Sequence, residues 1–432
     1  MKKLLCLVLA MLTVLSLAAC GSGDPGETTK ISAYKSKGTY TELGEEKLSW
    51  EGGLNALPKK YPGMSTEEAR QAVMDFWYYV KTALWIPDAR YDIYKDNELV
   101  EGQRDWKRCV EAGMVYGGLP YVSSATGSIY RLMDYIDEET GVVDITSAGF
   151  YPKQLGGMCS SGCYWAWARV MNSADYRWCA DSVASRGYIP VGPYTYDLTI
   201  TRLIEDGDQG TDNICRANGE QVMFQSYANM KKADGFITLY EKNGHTLMCS
   251  IDPVVIYHED GTINGDESFM HIIDQGAIWV EATSPNGIPY RYERNMDKKF
   301  TFRQLYDDAK IPFTFGELIG TDPIEETECS FSYTGETITK SQLFKSKVTS
   351  NYNIADVYVI ICDSKGNEVY KHADRVTVPS TREVKISKVK DRTVDWGSLN
   401  DLNPGKENYT LTVEVQLGTG ERPVVYTGRY IG

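Results

Sequence analysis

The chain has 432 residues, of which 42% are apolar and 12% aromatic, and a formal net charge of −14. Such a length leaves room for about two or three domains with a sizeable core. The acidic balance argues against a basic patch for nucleic acid or for an anionic membrane surface.

The first element is a leader. Met1-Lys2-Lys3 gives a positive start, and Leu4 to Ala19 is an almost unbroken apolar run. The run has the length of a signal-peptide core and is too short for a spanning helix. It ends in Leu17-Ala18-Ala19-Cys20-Gly21, which resembles the lipobox of bacterial lipoproteins, and a polar Gly21-Ser22-Gly23-Asp24 follows. The resemblance implies that residues 1–19 are removed and that Cys20 is the lipid attachment site. The protein would then be extracytoplasmic, anchored to the outer face of the bacterial cytoplasmic membrane. An ordinary secretory signal that contains a cysteine is the competing reading. Residues 20–60, rich in Gly, Ser, Lys, Glu and Thr, read as a flexible linker behind the lipidated cysteine.

Order begins at Ser65-Thr66-Glu67-Glu68, a capping-box pattern that opens a helix. Ala69, Val73, Phe76, Val80 and Leu84 recur at helical spacing until Pro87 stops the run. Trp77, Tyr78, Tyr79 and Trp85 read as core and helix surface. Helical and strand patterns then mix over the region 61–325. Glu205-Asp206-Gly207-Asp208 reads as a solvated loop, because it lacks the downstream glutamate that a calcium loop needs. From 326 to 432 short β-rich runs take over: Cys329 to Tyr333, Val357 to Cys362, Val376 to Val378, Val384 to Ile386, Tyr409 to Leu417 and Val424 to Tyr430. Turn signals separate them, and the pattern predicts an all-β sandwich. The expected fold class is therefore α+β, with the β-sandwich at the C-terminus.

Ten cysteines invite a disulfide reading, but Cys6 leaves with the leader and Cys20 carries lipid, so eight remain. That is too sparse for a disulfide scaffold. No CxxC pair suggests structural zinc, and neither metal nor cofactor is expected.

The chemistry concentrates in Gly156-Gly157-Met158-Cys159-Ser160-Ser161-Gly162-Cys163-Tyr164-Trp165-Ala166-Trp167. A glycine-rich loop runs into an apolar helix with a cysteine at the junction. The positive end of a helix lowers a thiol's pKa, and backbone N–H groups there can hold an oxyanion. Cys163, Ala166, Trp167 and Val170 share a helix face with Cys159, so the helix packs inward. If the helix starts at Gly162 instead, Cys163 becomes the candidate nucleophile. A β-hairpin follows, Ala233 to Tyr240 and His245 to Cys249, with His245 heading its second strand. A third strand, Phe269 to Gln275, brings Asp274 and Gln275 beside His245. A base at a strand start and a polar orienting group on the next strand complete a Cys–His–polar triad.

These pieces resemble the NlpC-type cell-wall peptidases of the papain-like class. Gly118-Leu119-Pro120-Tyr121 is similar to their Gly-x-Pro-Tyr segment, Cys159-Ser160-Ser161 to their Asp-Cys-Ser-Ser/Gly, and Asp234-Gly235 with Gly244-His245 to their Gly-Asp-Leu and His-Val. The likeness covers residues 115 to 280 in patches. Met158 stands where the family has aspartate, and Asp234-Gly235 inverts the usual order. The resemblance implies a papain-like catalytic domain over 61–325, with Cys159 as nucleophile, His245 as base, and Asp274 or Gln275 as the third member. His271 is an alternative third member, and Gln154 a possible oxyanion donor. His258 and His372 read as solvated.

The expected function is cleavage of amide bonds in peptidoglycan stem peptides, or in another cell-surface peptide, by a thiol hydrolase tethered through its lipid. Two other readings stay open. One is a non-catalytic surface lipoprotein that keeps the papain-like shell as a binding module. The other is an amidase or acyltransferase acting on another substrate.

Overall fold

The computed structural model describes residues 57–89, 109–121, 129–137, 140–143, 156–172, 188–195, 210–240, 243–276, 279–283, 287, 289–293, 297–375, 381–389 and 396–432, and the backbone of strands Tyr40–Leu43, Glu46–Trp50 and Tyr91–Asp92. The leader, Cys20, Gln154 and the acidic run at 205–208 lie outside the described residues. Within the segment expected to be a linker, Tyr40–Leu43 and Glu46–Trp50 pair as an antiparallel hairpin. Tyr40, Thr41 and Trp50 are β-formers, and they prevail over the polar composition around them.

Helix α1 (Thr66–Thr82) opens on the expected capping box: Ser65 Oγ accepts from the Glu68 N–H, and the Glu68 carboxylate accepts from the Ser65 N–H at 2.9 Å. It ends earlier than Pro87. Ala83 leaves the helix with ψ 123°, and Leu84–Pro87 becomes a strand. That strand pairs antiparallel with Val115–Gly117 and parallel with Val142–Val143. Tertiary pairing of Trp85 and Ile86 thus overrides the helical spacing of Leu84. Trp77, Tyr78, Tyr79 and Trp85 are all buried.

A six-stranded sheet carries the candidate site. Its strands are β1 (Ile189–Pro190), β2 (Gly235–Tyr240), β3 (Asn243–Cys249), β4 (Phe269–Ile273), β5 (Lys298–Thr301) and β6 (Ile311–Thr314), in the spatial order β5-β4-β3-β2-β6-β1. Every neighbouring pair is antiparallel. Short helix α2 (Ile129–Met133) and helix α3 (Cys159–Trp167) precede the sheet. Helices α4 (Gly210–Asn218) and α5 (Glu220–Ala228) come before β2, and α6 (Phe302–Asp307) follows β5.

Cross-strand register sorts the side chains to two faces. Met248, Gly235 and Phe313 share one face. Trp167 of α3 packs there, its ring centroid 5.5 Å from that of Phe313. Gly235 has no room for a side chain, since a Cβ would meet the Phe313 ring at 2.3 Å. The other face carries Phe236, against which Tyr227 of α5 packs at 6.1 Å between ring centroids. One apolar core joins α1, α3, α5, α6 and this sheet.

The C-terminal part is built from two sheets around a second core of aliphatic and tyrosine side chains. One sheet has five strands, Thr337–Ile338, Ile354–Cys362, Glu368–Arg375, Tyr409–Leu417 and Val424–Tyr430, and the other has three, Cys329–Phe331, Lys347–Ser350 and Glu383–Lys385. The chain is thus of mixed α+β class. Strand Glu368–Arg375 was not among the expected runs, because Lys371, Asp374 and Arg375 break its apolar alternation. For the same reason the expectation of a solvated His372 is wrong: it is 1% exposed, and its ring stacks on Trp396 at 3.7 Å between centroids. Among the described residues no helix is long and apolar enough to cross a membrane.

Candidate active site

Cys159 is the first residue of α3 and is 3% exposed. The helix begins there and not at Gly162. Met158 is its N-cap residue and supplies no side-chain cap, while the Met158 N–H donates to Ser161 Oγ at 2.9 Å. Gly162 lies inside the first turns because nothing larger fits. A Cβ there would sit 2.4 Å from Trp77 Cη2 and 3.2 Å from Gln275 Cβ. Close approach, not helix initiation, explains that glycine. Cys163, one turn on, is fully buried, and its thiol donates to the Thr246 carbonyl at 3.8 Å. It is committed to packing.

The loop ahead of α3 docks on the Gly118–Tyr121 segment. Gly157 N–H donates to the Pro120 carbonyl at 3.1 Å, and Gly157 forms a parallel bridge with Tyr121. Gly118 has φ +87°, and a Cβ there would lie 2.6 Å from the Lys81 carbonyl oxygen. Gln275 Nε2 donates to the Leu119 carbonyl. The three stretches singled out in the sequence, 118–121, 156–163 and 234–275, therefore meet.

His245 is the third residue of β3, opposite Thr238 of β2. Its Nε2 pairs with Asp274 Oδ2. The imidazole is 16% exposed and the carboxyl 5%. Asp274 lies just beyond β4, which ends at Ile273, two residues short of the expected end at Gln275. Four buried polar atoms on these neighbouring residues make no hydrogen bond: Trp77 Nε1, His245 Nδ1, Asp274 Oδ1 and Gln275 Oε1. Buried polar groups are normally satisfied, so this cluster stands out among the described residues. The pairing of Nε2 with a carboxylate, which only accepts, puts the proton of a neutral ring on Nε2. Nδ1 is then a free acceptor, which is the state a general base needs.

Of the alternatives, Asp274 holds His245, and Gln275 ties the site to Leu119. His271 stands on β4 opposite Lys299 of β5, and its ring meets Phe269, so it is not at the pair. His258 is exposed. Two of the other described thiols, Cys215 and Cys249, are buried and held protonated. Burial pushes the Cys215 thiol up to about 12 and raises that of Cys249 well above the usual range. The six cysteines whose state is described are all free thiols. Among the described residues no group of His, Cys, Asp and Glu forms a metal site.

The sequence did not reveal the part played by Asp234. Its carboxylate, 1% exposed, is locked by Arg70 of α1 at 2.8 Å, by the Thr314 hydroxyl at 2.5 Å and by the Lys231 N–H at 2.7 Å. Burial raises its pKa, with Arg70 opposing. The residue read as part of a motif is a structural lock. The only signal was an arginine within the apolar stripe of α1. A cleft of about 600 Å³ opens beside this lock at the β1 edge, but neither His245 nor Cys159 lines it.

Behind α3 the C-terminal part closes the helix off. Asn353 Nδ2 donates to the Tyr164 hydroxyl, and Tyr130 of α2 donates to the Gly418 carbonyl at 2.7 Å. A Cβ on Gly418 would fall 2.8 Å from Ala168 Cβ. Arg169 donates to Tyr130 Oη at 3.2 Å and to the Pro58 carbonyl at 2.7 Å. No family model, no curated protein and no solved structure matches the chain.

Proposed function

We propose that this protein is a papain-like thiol hydrolase that cleaves amide bonds in cell-wall stem peptides, facing the wall from a lipid anchor on Cys20. The observation that carries the reading is the His245 ring, with Nε2 held by Asp274 and Nδ1 buried and unbonded. In the proposed reaction Nδ1 takes the thiol proton of Cys159, and the thiolate attacks the scissile carbonyl carbon. The imidazolium then protonates the leaving amine as the C–N bond breaks, leaving a thioester on Cys159. Water, deprotonated by His245, releases the acid and restores the thiol. The start of α3 favours the thiolate through the helix dipole.

The test is peptide release from purified sacculi. Cys159→Ser and His245→Ala should abolish release with circular dichroism unchanged, and Cys163→Ser should retain it. Release by Cys159→Ser would sink the reading.

A second reading, a binding module without turnover, is favoured by one observation. Trp167 of α3 packs on the face carrying Gly235, Phe313 and Met248, whereas His245 belongs to the alternate residues of β3. Met158 in the place of the family's aspartate points the same way. Iodoacetamide separates the two: a catalytic Cys159 is alkylated well below pH 8, and a module's thiols react only near the free-thiol range of about 8.5.

A further inference from the structure

Lys81, near the end of α1, is fully buried and ranks among the largest side chains without solvent contact. Its Nζ donates to the main-chain carbonyl of Asp274 at 2.8 Å and lies 5.8 Å from the centre of the Trp77 ring. A buried ammonium is costly, and an apolar side chain of similar volume often serves stability as well or better. A charge kept at such a position therefore has work beyond packing.

The surroundings say what that work is. Asp274 is the first residue past β4, where the strand ladder no longer fixes the backbone. Its carboxylate holds His245 through Oδ2, while Oδ1 makes no hydrogen bond. Lys81 pins the carbonyl of that residue, and its own carbonyl is overlain by Gly118 so closely that only glycine fits. From Gly118 the chain passes to Leu119, whose carbonyl takes Gln275. One helical turn thereby sets both residues that follow β4.

We propose that Lys81 is a positioning residue: its ammonium fixes the main chain of Asp274 so that the carboxylate meets His245, and its charge offsets that carboxylate. This rests on the reading of Asp274 and His245 as orienter and base. Among the described residues, Lys310 also acts on Asp274 electrostatically; it is paired with Asp308 at 3.3 Å ahead of β6, and Lys298 of β5 acts on it too. Across the strand His245 stands opposite the uncharged Thr238. None of these changes when Lys81 is replaced.

The test uses the full chain with Lys81→Met, Lys81→Arg and Lys81→Gln. Only four histidines are present, so ring nitrogen NMR can assign His245 by its loss in His245→Asn. In Lys81→Met the Nε2 proton should exchange with water at least about tenfold faster, as Asp274 loosens. Lys81→Arg should stay within about twofold of wild type. Where Cys159 pairs with His245, loss of the Lys81 charge also moves the pH profile of its alkylation upward, by about one unit, and Lys81→Arg should restore it. Lys81→Gln keeps a donor without the charge, so slow exchange should persist while the profile moves. If Lys81→Met fails to fold, Lys81→Gln carries the test. Unchanged exchange in a folded Lys81→Met, or exchange in Lys81→Gln as fast as that expected of Lys81→Met, overturns the inference. The exchange readout does not involve the thiol, so an inert Cys159 would sink the hydrolase reading and leave the role of Lys81 standing.

Discussion

Arg70→Met should destabilise the fold by about 3–5 kcal/mol at neutral pH, the range for stranding one partner of a buried ion pair. Arg70 is 5% exposed and Asp234 1%, at 2.8 Å, so solvent screens the pair little. Arg70 also donates to the carbonyls of Lys232 at 2.6 Å and Leu318 at 3.1 Å. Its loss therefore unties α1 from both the entry to β2 and the helix Gly316–Ile319. The defect should depend on pH with a definite sign. Burial already raises the Asp234 carboxyl above its ordinary value, and removal of Arg70 raises it further. An acid raised in the native state favours folding when protonated, and that advantage is lost as pH rises through its native value. The cost of Arg70→Met should thus shrink as pH falls from neutrality toward the ordinary carboxylate range. Asp234→Asn in the Arg70→Met background should recover most of the loss, since no charge is then stranded. Urea unfolding followed by circular dichroism measures all three. A loss below about 1 kcal/mol, or a double variant no better than the single, would refute the reasoning.

Two further outcomes follow from local geometry. Gly118→Ala combines a left-handed backbone with a Cβ 2.6 Å from the Lys81 carbonyl oxygen. It should cost at least about 2 kcal/mol in urea unfolding and slow Cys159 alkylation, because the 118–121 segment abuts the loop before α3. The capping box of α1 should weaken in acid. Hydrogen bonds from Ser65 side chain and backbone, then from Tyr61, hold the Glu68 carboxyl down to about 2. Its contribution is complete above the ordinary glutamate range and is lost as pH falls through that value. Ser65→Ala should weaken that acid-limb dependence, since the residue-65 N–H and Tyr61 still reach the carboxylate, as measured by thermal unfolding between pH 5 and pH 2.

Much of the candidate site was legible because its signals are local. A glycine loop before an apolar helix located the start of α3, and a turn before His245 located β3. Asp274 could be nominated by counting across a hairpin, since antiparallel register follows from turn position. The missing parts are those set by distant chain. Lys81 and Arg70 sit in an apolar helical stripe, where sequence offers no partner for a buried cation. The end of α1 moved because Leu84–Pro87 found strand partners around residues 115–117 and 142–143. His372 was misjudged because charged neighbours hid the strand that buries it.

The turn at Gly418–Thr419–Gly420 touches the back of α3 and the Arg169 guanidinium. A β-rich tail that served only as a spacer would need no such contact. Here the helix that bears Cys159 has its rear wall supplied by residues far later in the chain, Asn353 lying 189 positions after Tyr164 and Gly418 later still. The thiol's support is thus completed only when the last strands have been made. A chain of this design completes the surroundings of α3 late, after nearly all of it has been made, and a chain cut short at the tail would leave α3 uncovered.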